Sequence, residues 1–88
     1  MKITLNGNEI GSREELYRAV GEQTELPEWF GKNLDALHDV LTEKPEKLRV
    51  TVRNPEMLAE GIGERYLQAL FTMLLDSGAE LTLTRESE

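Results

Sequence analysis

Three short runs of two-residue alternation lie far apart in this chain, and helix-forming sequence fills both gaps between them. Ile3-Thr4-Leu5 is the first. In the second, Leu48, Val50 and Val52 alternate with Arg49, Thr51 and Arg53; in the third, Leu81 and Leu83 alternate with Thr82 and Thr84. Alternation of this kind places apolar side chains on one face of a strand and polar ones on the other. With two helical segments in each gap, the strands cannot be joined by hairpins. The chain must cross back over the sheet each time, which makes the strands parallel and the crossovers right-handed. Successive right-handed crossovers in strand order 1-2-3 put every helix on one face. The other face is wet, because parallel strands covered on both sides read as continuous apolar runs. The expected fold is therefore α/β and two-layered: a three-stranded parallel sheet with its helices on one face.

The helices have local start and stop signals. Asn6-Gly7 ends strand 1 as a turn, and Ser12-Arg13-Glu14-Glu15 fits a capping box opening helix 1. That helix should bury Leu16 and Val20 and end near Gly21. After a loop through Pro27, Asn33 caps a short helix over Leu34 to Thr42, and Pro45 closes the region. Asn54-Pro55 reads as an N-cap followed by proline at the first helical position of helix 3, which Gly61 ends. Helix 4, from about Gly63 to Ser77, carries Leu67, Leu70, Phe71 and Leu74 on one stripe and stops at Gly78. A chain of 88 residues buries roughly 60 to 65 per cent of its unfolded surface, so a single domain over residues 1–88 is expected. No repeat, low-complexity segment or linker interrupts it before the last polar residues, Arg85 to Glu88.

Composition removes several function classes. Cysteine is absent, so no disulfide framework, thiolate zinc site or thiol nucleophile is available. The N-terminal Met1 to Gly7 has no continuous apolar run, and no segment nears the roughly 20 apolar residues that span a bilayer. A cytoplasmic, soluble protein with no membrane partner is expected. There is no G-x-S-x-G elbow and no phosphate-cradling glycine loop, and His38 is the single histidine, so neither an enzyme nor a cofactor is expected. Asp35, His38, Asp39 and Glu43 share a helix side, yet without a coordinating loop or second histidine they make a poor metal site, and none is expected. The net charge of −7 repels nucleic acid and favours a basic protein partner. Most of it is local: Glu22, Glu25, Glu28, Asp35, Asp39, Glu43 and Glu46 stand against Lys32 and Lys44, a balance of −5. An acidic excess is most often only a solubilising surface.

The segment from Leu26 to Asp39 (Leu-Pro-Glu-Trp-Phe-Gly-Lys-Asn-Leu-Asp-Ala-Leu-His-Asp) is more specific. Two adjacent aromatics lie on a Pro/Gly loop directly before a helix with two aspartates one turn apart. On a helical wheel Leu34, Leu37, Val40 and Leu41 fall on one side, and Asp35, His38, Asp39 and Thr42 on the other. Like charges at i, i+4 cost a helix a few tenths of a kcal/mol, which an opposing partner would repay. Asp35 could simply complement the helix dipole; Asp39, beyond the first turn, does not. Trp29, the only tryptophan, is either a core anchor or an interface anchor.

This stretch closely resembles the signature of the barstar family: Leu-Pro-Glu, an aromatic pair, Gly, an Asn, then Leu-Asp-Ala-Leu and an Asp. The Asn6-Gly7 turn, the order of strands and helices, and Gly78-Ala79-Glu80 before the last strand match as well. The resemblance implies a non-enzymatic intracellular inhibitor whose partner is a basic, extracellular-type ribonuclease like barnase; the free protein is expected to be a monomer. The resemblance assigns partner binding to Trp29, Phe30, Gly31, Asn33, Asp35, His38, Asp39 and Thr42. Asp39 would stand in for a substrate phosphate, Asp35 would meet a neighbouring part of the cleft, and Trp29 would pack against the enzyme's catalytic histidine. The sequence departs from the family where His38 replaces a tryptophan, where a second tryptophan is missing around Glu43-Lys44-Pro45-Glu46, and where Met73 stands for an interfacial glutamate. An alternative is an acidic interaction module, or antitoxin, for a different basic partner.

Overall fold

A computed structural model describes residues 1–85. The element order is β1 (Lys2–Asn6), α1 (Arg13–Gln23), α2 (Leu34–Thr42), β2 (Arg49–Arg53), α3 (Pro55–Ile62), α4 (Glu64–Asp76) and β3 (Glu80–Thr84). The strands form one parallel three-stranded sheet in the order β1-β2-β3. The register places Ile3, Val50 and Leu81 in one row and Leu5, Val52 and Leu83 in the next. Ile3, Leu5, Val50 and Val52 are at most 2% exposed, packed with Leu16 and Val20 of α1, Leu37 and Leu41 of α2, Leu58 of α3, and Leu67, Leu70 and Leu74 of α4. The opposite face carries Lys2, Thr4, Arg49, Thr51, Glu80 and Thr82, none of them buried. There Arg49 and Lys47 pair with Glu80 at 3.7 and 3.5 Å, an exposed arrangement that adds little stability.

Four local features differ from the sequence reading. Helix α1 passes Gly21 and ends at Gln23, with Thr24 as C-cap. The reason is tertiary: the Gln23 carboxamide accepts from Thr4 N–H and donates to Thr4 O, both at 2.7 Å, so the last turn is fastened to β1. Helix α3 likewise passes Gly61 and stops at Gly63, whose φ of 99° makes it both the C-cap of α3 and the N-cap of α4. Gly61 serves closeness instead, since a Cβ there would lie 2.4 Å from Ile10 O. Asn54 holds the N-cap position without a side-chain cap bond. Its N–H extends the ladder to Thr84 O at 2.8 Å, and the chain then turns into α3 in one residue, which asks for the left-handed φ of 54° that asparagine tolerates. Finally, Leu83 is 52% exposed although Val52 and Leu5 of the same row are buried, so the helix layer that covers the other two strands leaves this end of β3 open.

One polar pair sits inside. The Tyr17 hydroxyl is hydrogen-bonded to that of Tyr66, and the Arg13 guanidinium lies 4.0 Å above the Tyr66 ring. Burial, with help from Tyr66, pushes the Tyr17 phenol far above its ordinary range, and Arg13 only partly offsets this.

Candidate functional site

The loop before α2 is built as a tight corner. Phe30 N–H donates to Pro27 O at 3.0 Å, which places Glu28 and Trp29 at the tip of the turn. The two adjacent aromatics then do opposite jobs. Phe30 is half-buried and leans on the Tyr17 ring, with centroids 5.8 Å apart and planes tilted by 58°. Trp29 points away, 68% exposed. Lys44 Nζ donates to Glu25 O at 3.4 Å, fastening this loop to the segment that leaves α2. Beyond the corner, Gly31 is exposed and its carbonyl accepts from Asn33 N–H at 2.6 Å.

Helix α2 begins as its residues require. Asn33 Oδ1 accepts from Ala36 N–H at 2.8 Å, a side-chain cap on the first turn. Leu37, Val40 and Leu41 are buried, and Leu34 is half-buried, so the helix is fixed in rotation by one apolar face. Asp35, Asp39 and Thr42 are thereby turned to solvent. Thr42 Oγ1 donates to His38 O at 2.9 Å and lies 3.1 Å from Asp39 O, which secures the last turn.

Neither aspartate has an ion-pair partner among the described residues. Ion pairs lie elsewhere, among them Glu14 with Arg18, Glu80 with Lys47 and Arg49, and Glu56 with Arg85. His38 is half-buried and shares a groove with Leu34 and Asp35, whose other wall is Ala69, Thr72, Met73 and Asp76 of α4. A second groove runs beneath Trp29, bounded by Pro27 and Pro45 and by Glu25, Glu28 and Glu43.

The eight sequence-designated residues thus cover one stretch of surface with different present duties. Trp29, Gly31, Asp35, Asp39 and Thr42 are presented outward, His38 lies in the groove, Asn33 is exposed but occupied as a cap, and Phe30 anchors the loop from inside. Sequence reasoning missed Thr72 and Asp76. Their i, i+4 spacing on α4 was the available signal, but nothing local says that this flank faces α2. Met73 is only 8% exposed, so the acid on this side of the groove is Asp76. Among the described residues, no three His, Cys, Asp or Glu side chains converge as a metal-ligand set.

Chemically, this is a rigid acidic surface with an aromatic beside it. Carboxylates held by a packed helix accept hydrogen bonds from the planar fork of arginine, which binds carboxylate and phosphate by the same geometry. An exposed tryptophan adds apolar area of the kind that anchors interfaces. The family model described as Barstar (barnase inhibitor) matches residues 1–87. The chain belongs to the barstar family. The barstar match extends over both crossovers and all three strands, so it concerns the whole α/β framework as well as the α2 motif. Among the described residues no helix is long and apolar enough to cross a membrane.

Proposed function

We propose that this barstar-family protein is a non-enzymatic inhibitor, one domain long, that acts in the cytoplasm on a basic ribonuclease of the barnase type. The Trp29 corner and the outward face of α2 enter the substrate cleft, and Asp39 takes the place of an RNA phosphate. The observation that carries this reading is the pair of exposed carboxylates on α2, Asp35 and Asp39, which the described structure leaves without an ion-pair partner while fixing their helix on the core. Such groups are ordered before the partner arrives, so little entropy opposes their burial. Trp29 packs on the enzyme beside them, and Gly31, Asn33, His38 and Thr42 contribute polar contacts around the centre. Phe30 contributes by holding the corner in place.

The changes at the edge of this surface favour a second reading, in which the same face serves another basic protein. His38, the Glu43-to-Glu46 segment and buried Met73 all alter the rim rather than the centre. Titration of the purified protein into barnase-type ribonucleases distinguishes the two. Loss of RNA cleavage at one inhibitor per enzyme supports the first reading, provided that an Asp35→Ala/Asp39→Ala double variant of unchanged circular dichroism no longer inhibits. Undiminished cleavage across such ribonucleases refutes it.

A further inference from the structure

The two edges of the sheet are finished differently. On β1, the inward main-chain groups are set by Arg49 N–H donating to Met1 O and Gly7 N–H donating to Arg53 O, both at 2.8 Å. The outward groups therefore belong to Lys2, Thr4 and Asn6. Thr4 is filled on both counts by the Gln23 carboxamide, and Asn6 O accepts from Glu9 N–H at 2.9 Å. A single side chain from α1 thus blocks the middle of this edge, so that among the described residues only the Lys2 main chain and the Asn6 N–H, at its two ends, stay open. On β3, Glu80 N–H donates to Leu48 O at 2.9 Å and Thr84 O accepts from Asn54 N–H at 2.8 Å. By the same parity Glu80, Thr82 and Thr84 bond to β2, and Leu81 and Leu83 turn their N–H and C=O groups outward. Among the described residues these four groups have no hydrogen-bond partner. Beside them the Leu83 side chain is 52% exposed. An unblocked edge with apolar flanks is a template for another strand.

We infer that β3 pairs antiparallel with β3 of a second copy, about a two-fold axis at Thr82, joining the two sheets into one of six strands. The strand's own pattern identifies the occupant. In this register Leu81 faces Leu83 of the second copy and each such pair exchanges two hydrogen bonds, so the four outward groups of one copy satisfy the four of the other. Thr82 faces its equivalent, a favourable cross-strand pair. Glu80, the one charged residue of β3, faces Thr84 and never another acid. The axis is perpendicular to the sheet, so the helices of both copies stay on one face and the contact closes on itself. Edge pairing alone buries less than the roughly 1,200 Å² typical of stable interfaces, so the dimer is weak and the monomer is the dilute species. Screening of the −7 charge by salt strengthens it. The pairing is independent of the inhibitory reading, since it uses main-chain groups of β3 and no residue of α2.

Sedimentation equilibrium between about 10 µM and about 1 mM, in low and high salt, covers the range in which so small an interface associates. The weight-average mass should rise from 10.0 kDa toward twice that value, more steeply in high salt. Amide exchange at Leu81 and Leu83 should slow with concentration, while Thr82, already bonded to β2, should not change. Leu83→Pro removes one outward N–H without touching the β2 ladder, and Leu83→Lys puts a charge on the edge; both should remain monomeric throughout. If Leu83→Pro proves unfolded by circular dichroism, Leu83→Lys decides. A wild-type mass constant at the monomer value, or a folded Leu83 variant that dimerises like wild type, overturns the inference.

Discussion

Asp39→Ala removes a carboxylate that the free protein does not use. Asp39 is exposed and forms none of the intramolecular ion pairs seen among the described residues. Its loss relieves the i, i+4 repulsion with Asp35 and introduces the best helix-forming residue. Together these should stabilise the fold by about 0.5 to 1 kcal/mol, raising Tm by about 2 to 8 °C in a domain of this size. Binding moves the other way. In a ribonuclease cleft, the arginines that met Asp39 are left buried and unpaired, at a cost of about 2 to 5 kcal/mol. At tenfold per 1.4 kcal/mol that is a loss of affinity of about 30-fold to several thousandfold, carried mainly by faster dissociation. Glu22→Gln is the control: Glu22 is exposed on α1, away from the α2 face, so it should slow association slightly at low salt and leave dissociation alone. Stopped-flow association and competition-driven dissociation with an inhibited ribonuclease measure both, and thermal melts measure stability. If Asp39→Ala dissociates no faster than Glu22→Gln while both remain folded, the phosphate-mimic argument for α2 fails.

Three further outcomes follow from the geometry. Trp29 fluorescence should be quenched strongly by acrylamide and less by iodide, because Glu25, Glu28 and Glu43 line the groove beneath the ring, and both should weaken on ribonuclease binding; equal quenching free and bound would remove Trp29 from the interface. Tyr17 resists ionisation when folded, so its contribution to stability is complete below about pH 10, the unfolded value, and declines by up to about 1.4 kcal/mol per pH unit above it. Urea denaturation from pH 8 to 11 should therefore show a steeper alkaline loss for wild type than for Tyr17→Phe, and parallel losses would count against the buried phenol. Gly7→Ala would place a Cβ 2.2 Å from Asn54 O and 2.6 Å from Leu58 N, backbone atoms that cannot yield separately, so a loss of about 2 to 3 kcal/mol is expected. Gly31→Ala meets only the Asn33 amide at 3.2 Å and should cost far less; equal denaturation midpoints for the two variants would refute the close-packing argument.

The layered fold was legible because its signal is periodic. Alternation at Ile3 and Leu5, at Val50 and Val52, and in the third strand fixed the sheet faces, and the spacing between strands dictated parallel crossovers. The α2 boundaries were legible because Asn33 caps and Pro45 interrupts, both local effects. What escaped was decided at a distance. Gln23 lengthens α1 through a bond to Thr4, and Asn54 goes left-handed because its N–H belongs to the sheet. Trp29 and Phe30 are neighbours in a loop without a period, so no pattern says which faces in; the Pro27 turn and the Tyr17 ring decide it. The α4 wall of the groove was illegible for a related reason, since the apolar stripe of α4 predicts what it buries but not which helix its exposed flank meets. Met73 shows the same limit: a position compared by counting along a helix becomes core once the helix is rotated into its real packing.

The joints between the elements also set where such a chain can change in length. Gly63 alone separates α3 from α4, and its φ of 99° defines the elbow. One residue added there would lengthen an elbow that now has a single member, and α4 could keep Leu67, Leu70 and Leu74 in the core only if the whole turn were rebuilt. Between Thr42 and Leu48 the constraint is looser, confined to surface contacts of Lys44 with Glu25 O and of Lys47 with Glu80 and the N-terminus. Glu43, Pro45, Glu46 and Lys47 are exposed, and the segment runs from the end of the acidic helix to the start of β2. Residues can be gained, lost or exchanged there without re-registering any buried side chain. The rim of the proposed binding face is therefore the part of this architecture most open to mutation by insertion, and a lineage could retarget its partner there while inheriting the core unchanged.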